Sequence, residues 1–224
     1  MSVKTLLSWS TGKDSAWALH VLRQTPGIEI VGLLSSINEE ADRVSMHGVR
    51  RTLAEAQAKA AGLPLHIVSL PSPCSNEVYE ERMSAFVAEV REAGVEAMAF
   101  GDLFLTDIRA YREERLRGSG ITPLFPLWER NTRQLARDMI SSGLRARVVS
   151  LDPRAIARDL IGREFDADLL DDLPSTADPC GENGEFHTFA YAGPMFNAPI
   201  DVATGAIVER DGFVFADLVR QKSA

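Results

Sequence analysis

Through the first two thirds of the chain, short apolar runs alternate with longer stretches in which apolar residues recur every three or four positions. Val3–Ser8, Ile28–Ser35, Leu65–Leu70, Glu96–Phe100 and Ala146–Leu151 have strand length and turn residues at their ends, and predict five buried strands. Between them, Asp14–Gln24 places Trp17, Val21 and Leu22 at helical spacing and stops before Pro26-Gly27. Val49–Ala61 is Ala-rich and closed by Gly62 and Pro64, Asn76–Ala93 ends at Gly94, and Thr106–Arg117 and Asn131–Ser142 complete the helices. Strands joined by helical crossovers imply a parallel sheet covered on both faces. With right-handed crossovers this is a doubly wound α/β domain over residues 1–152.

The last third changes character. Asp166–Asp172 carries four aspartates and reads as a solvated helix end. Asp178–Tyr191 is a loop running into a strand. Ile200–Ala203, Ala206–Glu209 and Phe213–Asp217 are expected as short strands joined by turns at Thr204-Gly205 and Asp211-Gly212. A small α+β unit over residues 153–224, packed on the first domain, is the expectation.

Composition narrows the function classes. Twenty-four Lys and Arg against 32 Asp and Glu leave a net charge of −8, which argues against a chain that grips nucleic acid through its phosphates. Two distant cysteines, Cys74 and Cys180, make neither a disulfide framework nor a zinc set. No apolar run approaches the roughly 20 residues that cross a bilayer, and the first residues do not read as a signal peptide. A cytoplasmic protein without a membrane partner is expected.

The strongest chemistry is Ser10-Thr11-Gly12-Lys13-Asp14-Ser15, between the first strand and the first helix. Small residues let backbone N–H groups approach an oxyanion, and the helix N-terminus adds partial positive charge. Lys13 brings a full charge, Ser10 and Ser15 bring hydroxyls. Leu7 and Asp14 stand where a Walker A loop needs Gly and Ser or Thr, so this is a different phosphate loop. Asp14 beside a polyphosphate makes sense with a bridging magnesium ion, or as a helix cap.

The loop resembles the PP-loop, S-G-G-x-D-S, of the N-type ATP pyrophosphatases, with Thr11 in place of a glycine. The resemblance implies a five-stranded parallel sheet of order 3-2-1-4-5 (the adenine nucleotide alpha hydrolase-like fold). It also implies ATP as substrate, adenylation of an oxygen, and release of pyrophosphate. In that order Gly101-Asp102, at the end of the fourth strand, faces the loop across the switch point, which makes Asp102 a candidate magnesium or substrate ligand. On the following helix, Arg109 and Glu113 are four apart, the spacing of a surface pair.

The most unusual stretch is Asp178-Pro179-Cys180-Gly181-Glu182-Asn183-Gly184-Glu185-Phe186-His187-Thr188. A strand starting near Glu185 would put Glu185 and His187 on one face, a carboxylate–imidazole pair fit for base or ammonia-guiding work. The stretch resembles the C-G-E-x-G-E signature of the diphthine–ammonia ligase family, a branch of the PP-loop enzymes. Met46-His47, Gly101-Asp102, Arg112-x-Glu114, Pro126-Leu127-Trp128 and Gly193-Pro194 follow in that family's order.

By this resemblance Ser10, Thr11, Gly12, Lys13, Asp14, Ser15 and Gly101 hold ATP, and Asp14 and Asp102 hold Mg2+. Lys13, Asp14, Asp102, Glu182, Glu185 and His187 carry the chemistry. His47, Arg112, Glu114, Gly181 and Asn183 bind substrate. Cys180, among acidic neighbours, reads as structural rather than nucleophilic. The implied reaction amidates a carboxylate with ammonia or ammonium, the acceptor being protein-borne diphthine or a small molecule. A tRNA-modifying PP-loop enzyme and a non-catalytic ATP sensor are the competing readings, and homodimers are frequent in the superfamily.

Overall fold

A computed structural model of the chain describes residues 2–221. Its strands are β1 (Val3–Ser8), β2 (Ile28–Asn38), β3 (Arg43–Val44), β4 (Leu65–Leu70), β5 (Ala97–Ala99), β6 (Thr122–Leu124), β7 (Arg145–Leu151), β8 (Phe186–Ala192), β9 (Val202–Arg210) and β10 (Phe213–Arg220). The helices are α1 (Lys13–Arg23), α2 (Arg51–Ala61), α3 (Asn76–Glu92), α4 (Thr106–Leu116), α5 (Thr132–Ser141) and α6 (Ala167–Asp172).

The parallel strands run in the order β4-β2-β1-β5-β6, which is the expected 3-2-1-4-5. The two-residue β3 adds an antiparallel piece to the far end of β2, on the edge that β1 leaves free. Period-two alternation along the strands divides the core. Leu6, Leu34 and Met98 face α3 and α4 with Phe86, Val90 and Leu116, while Leu7, Leu33 and Ala99 face α1 and α5.

The fifth parallel strand is not the one the apolar pattern selects. It is β6, a three-residue edge strand containing Pro123. Thr122 donates to Glu96 O and Leu124 O accepts from Phe100, so Pro123's missing N–H falls on the outer edge, where proline is tolerated. Ala146–Leu151 instead lies in β7, inside a second, fully antiparallel sheet of order β8-β7-β10-β9. Burial on both faces makes a strand read as continuous apolar sequence, and that pattern does not say which sheet it joins. Thr204-Gly205 is likewise no turn: β9 runs through it, paired with β10.

α1 is the joint of the molecule. It is buried nearly all round, and its Trp17, Ala18, Leu19 and Leu22 share one core with Leu7 and Leu33 of the parallel sheet and with Ala146, Phe186 and Ala190 of the antiparallel one. The loop that opens α1 therefore sits where the C-terminal end of β1 meets β8.

Candidate active site

The loop Ser10–Ser15 follows β1 directly. Ser15 Oγ donates to Gly12 O at 3.0 Å, and Ser10 Oγ lies 3.1 Å from Ser15 Oγ. Gly12 is the N-cap of α1 and, lacking a side chain, caps none of the helix's first N–H groups; that of Lys13 is taken by Thr188 Oγ1 at 3.0 Å. A Cβ on Gly12 would sit 2.8 Å from His47 Cε1. One on Gly101 would sit 3.1 Å from the Asp14 and Ser15 backbone, which is how closely β5 delivers Gly101 to the loop.

Thr11, which replaces a glycine of the PP-loop pattern, has a φ of +73°. For a β-branched residue the left-handed region is strained by roughly 1–2 kcal/mol. Its carbonyl accepts from Ala190 N at 3.0 Å and from Gln57 Nε2 at 2.9 Å, two bonds that fix the conformation.

Opposite the loop stands the acidic turn, which folds on itself. Asp178 Oδ2 accepts from Cys180 N (3.0 Å) and Glu182 N (3.1 Å). Glu185 Oε1 accepts from Asp178 N (2.8 Å) and Asn183 Nδ2 (3.0 Å), and Glu185 Oε2 from Asn183 N (3.0 Å). Gly181 has a φ of +70°, and a Cβ there would meet Phe186 O at 2.7 Å. With Asp178 and Glu185 turned inward, Glu182 is the carboxylate presented outward. It lines the cleft, and its Oε1 accepts from Leu103 N at 2.7 Å. Burial pushes its pKa up to about 7, with Asp14 and Asp102 adding to the rise.

Loop and turn bound one cleft of about 630 Å³. Ser10, Lys13, Asp14, Ser15, His47, Gly101, Asp102, Arg112, Gly181, Glu182 and His187 all line it. Lys13 is fully buried. Its ammonium donates to Asp14 Oδ2 at 2.9 Å and to Cys180 O, and it lies 5.3 and 5.2 Å from the Phe165 and Phe186 ring centres. Burial opposes its charge, but Asp14, Cys180 and Glu182 outweigh that and hold its pKa above the ordinary lysine value. Lys13 thus ties the phosphate loop to the acidic turn.

Burial pushes the Asp14 carboxyl up against the opposing pull of Lys13. Asp14 Oδ1 is buried with no hydrogen-bond partner. Among the described residues no group of three or more His, Cys, Asp or Glu is arranged around a metal. One unpartnered carboxylate oxygen at a phosphate loop is the donor set that suits magnesium, which takes one or two carboxylates and completes its shell with phosphates and water.

Several residues have partners other than those expected, and some lie off the cleft. Asp102 gives both oxygens to Arg112 (2.5 and 3.2 Å), and Arg112 also lies over the Phe100 ring. Glu185 precedes β8 and is 5% exposed inside its turn, so the Glu185–His187 pair does not form. His187 lies instead against His47, ring centres 4.5 Å apart and planes tilted by 33°. Burial lowers the His187 pKa to about 4. His47 is held well below its ordinary value by burial and by His187, so both rings are neutral at neutral pH. Asn183 belongs to the turn, and Glu114 is exposed and pairs with Arg117. Cys180 is buried, and burial drives its thiol pKa far up. Arg109 pairs with Glu113 at 2.8 Å.

Two contributors were not foreseen. Thr188 Oγ1 accepts from Lys13 N at 3.0 Å. Gln57 is the polar member of α2's buried stripe Leu53, Ala54, Gln57, Ala58, Ala61, and an amide at a core position was its signal in the sequence.

The profile of the diphthamide synthase N-terminal domain matches residues 3–123, and that of the diphthamide synthase C-terminal domain matches residues 131–221. A diphthine–ammonia ligase of Homo sapiens is 25% identical over 195 residues, covering 80% of this chain and 73% of the human protein. The ligase of Rattus norvegicus is 26% identical over 241 residues, covering 96% and 88%. That of Schizosaccharomyces pombe is 25% identical over 228 residues, and the match covers 92% of this chain but 37% of the yeast protein. With the phosphate loop and the acidic turn on one cleft and both domain profiles matched in order, the chain belongs to the diphthamide synthase family.

Proposed function

We propose that the chain is an ATP-dependent amide ligase that adenylates a carboxylate, releases pyrophosphate and then transfers ammonia, with a diphthine-type carboxylate as acceptor. The observation that carries this reading is the placement of Glu182 and the phosphate loop on one cleft, joined by Lys13. The names of the relatives supply the acceptor class.

In this reading the Ser10 and Ser15 hydroxyls, the Gly12 N–H and the α1 N-terminus hold the ATP phosphates. They favour the charge that builds on departing pyrophosphate. Asp14 Oδ1 would hold magnesium, which, when bound, neutralises phosphate charge. A carboxylate oxygen of the acceptor attacks the α-phosphorus, and the bond to pyrophosphate breaks. Holding these atoms in line lowers the entropic barrier.

In the second step ammonia attacks the acyl carbon and AMP leaves with the oxygen that bridged them. The nitrogen sheds a proton, and the Glu182 carboxylate, with its pKa near neutrality, accepts it. The neutral His47–His187 pair borders the acceptor side without placing a positive charge where ammonia must arrive uncharged. The Asp102–Arg112 pair orients a guanidinium at the cleft for an anionic group of the acceptor or nucleotide. The division of labour is an ATP-binding unit over 1–152 and an acceptor-facing unit over 153–224, with β7 serving the latter.

The test is product identification with magnesium, ATP and ammonium and two acceptor pools: diphthine-bearing elongation factor 2 and a small-molecule extract. Acceptor-dependent AMP and pyrophosphate from the elongation factor is the expected result. The same products from the extract alone would move the acceptor to a small molecule. ADP, or no turnover with either pool, would overturn the ligase reading.

A further inference from the structure

We propose that Gln57 is a positioning residue that aims the phosphate loop, an inference that rests on the nucleotide reading of the cleft. Gln57 is fully buried in α2, away from the cleft lining. Its Oε1 accepts from Trp9 Nε1 at 2.8 Å. An indole nitrogen only donates, so this bond fixes which way the amide faces. Nε2 is thereby turned to two backbone oxygens, Thr11 O at 2.9 Å and Ala190 O at 2.5 Å. Both N–H donors and the oxygen of the side chain are used, on two backbone oxygens and on Trp9, which itself lines the cleft.

The consequence follows from peptide geometry. A trans peptide points its C=O and the next N–H in opposite directions. Drawing Thr11 O back to Gln57 and Ala190 N turns the Gly12 N–H the other way, toward Ser10 Oγ at 3.4 Å, a hydroxyl that lines the cleft. In this arrangement Thr11 has a φ of +73°, which a threonine holds only when its surroundings impose it. Gln57 is the side chain that imposes it, and by bonding Ala190 O as well it sets the loop's distance from β8. Thr188 reinforces the same seam through Lys13 N. ATP binding and the position of the acceptor-side strand are therefore mechanically joined through one buried amide.

The test is a double-mutant cycle read as magnesium-ATP affinity by calorimetry, which needs no acceptor. Gln57→Met keeps the volume and removes all three hydrogen bonds, and it is expected to weaken ATP binding at least about tenfold. Thr11→Gly adopts the left-handed conformation without a clamp. In that background Gln57→Met is expected to weaken binding less than about threefold. A side chain that only stabilised the fold would lower the melting temperature equally in both backgrounds and leave the folded protein's ATP affinity unchanged. Folded Gln57→Met that binds ATP like wild type, or an equal loss in both backgrounds, would overturn the role of Gln57. Should Gln57→Met fail to fold, Gln57→Asn keeps the amide one methylene too short, and the same cycle is read on it. Wild type that does not bind magnesium-ATP would overturn the nucleotide reading and this inference together, whereas wild-type binding with an additive cycle overturns this inference alone.

Discussion

The two loops that face each other across the cleft are built on opposite plans. The acidic turn carries its own framework: Asp178 and Glu185 bond backbone groups within eight residues, which frees Glu182 to face outward. The phosphate loop has almost no internal framework beyond its serine hydroxyls. It is clamped from outside, by Gln57 of α2, the backbone of Ala190 and the hydroxyl of Thr188. The loop spends only one long N–H bond on itself, Gly12 N to Ser10 Oγ at 3.4 Å, so its shape is imposed from behind. A loop that presents a side chain can use all its backbone groups internally.

Four substitutions set the two plans against each other. The largest effect is expected at Glu185, because Glu185→Ala leaves the buried Asp178 N–H without its acceptor and removes two bonds from the exposed Asn183 to a carboxylate. Stability should fall by about 4 kcal/mol, roughly 2 for the buried donor and about 1 for each lost bond, read as a large drop in melting temperature.

Glu182→Gln in the same turn should do the reverse. The amide oxygen can still accept from Leu103 N, so folding is retained, while kcat falls at least about 100-fold for loss of the base. In wild type a base with a pKa of about 7 must be deprotonated, so at constant free-ammonia concentration the rate rises with pH through that value, and the rise disappears in Glu182→Gln. The stability linkage has the opposite sign. A carboxyl raised from 4.5 to about 7 favours the folded state when protonated, so its contribution is full below about 4.5 and is lost as pH rises through about 7. Urea denaturation at pH 5 and 8 of wild type and Glu182→Gln reads that difference.

The glycines of the turn give the smaller effects. Gly181→Ala adds a Cβ that would lie 2.7 Å from Phe186 O at a positive φ, and is expected to cost about 2–3 kcal/mol. Gly184→Ala meets open space, so the left-handed conformation alone costs about 1 kcal/mol. The gap between the two in thermal denaturation separates crowding from backbone strain.

Much of this was legible in the sequence, because the fold announces itself through local patterns. Apolar runs, glycine stops and the serine–glycine loop placed β1, α1 and the turn Ser10–Ser15 between them. The C-G-E-N-G-E stretch identified the turn. Partnership at long range was not legible. The apolar run Ala146–Leu151 is equally good in either sheet, and only its pairing with β8 and β10 decides. Period-two reasoning put Glu185 beside His187, but the turn captures Glu185 before β8 begins. The pairing of Asp102 with Arg112, ten positions on, was equally invisible. Gln57 was visible only as a polar residue on an apolar stripe, since its partners lie 46 and 133 positions away.

Adenylation moves one oxygen of the acceptor carboxylate onto AMP. Diphthine-bearing elongation factor 2 with its acceptor carboxylate labelled with heavy oxygen would be incubated with the protein, magnesium, ATP and ammonium, and the products weighed by mass spectrometry. Adenylation followed by amidation predicts one labelled oxygen in AMP and none in pyrophosphate. Label in inorganic phosphate, or amide formed with unlabelled AMP, would contradict it.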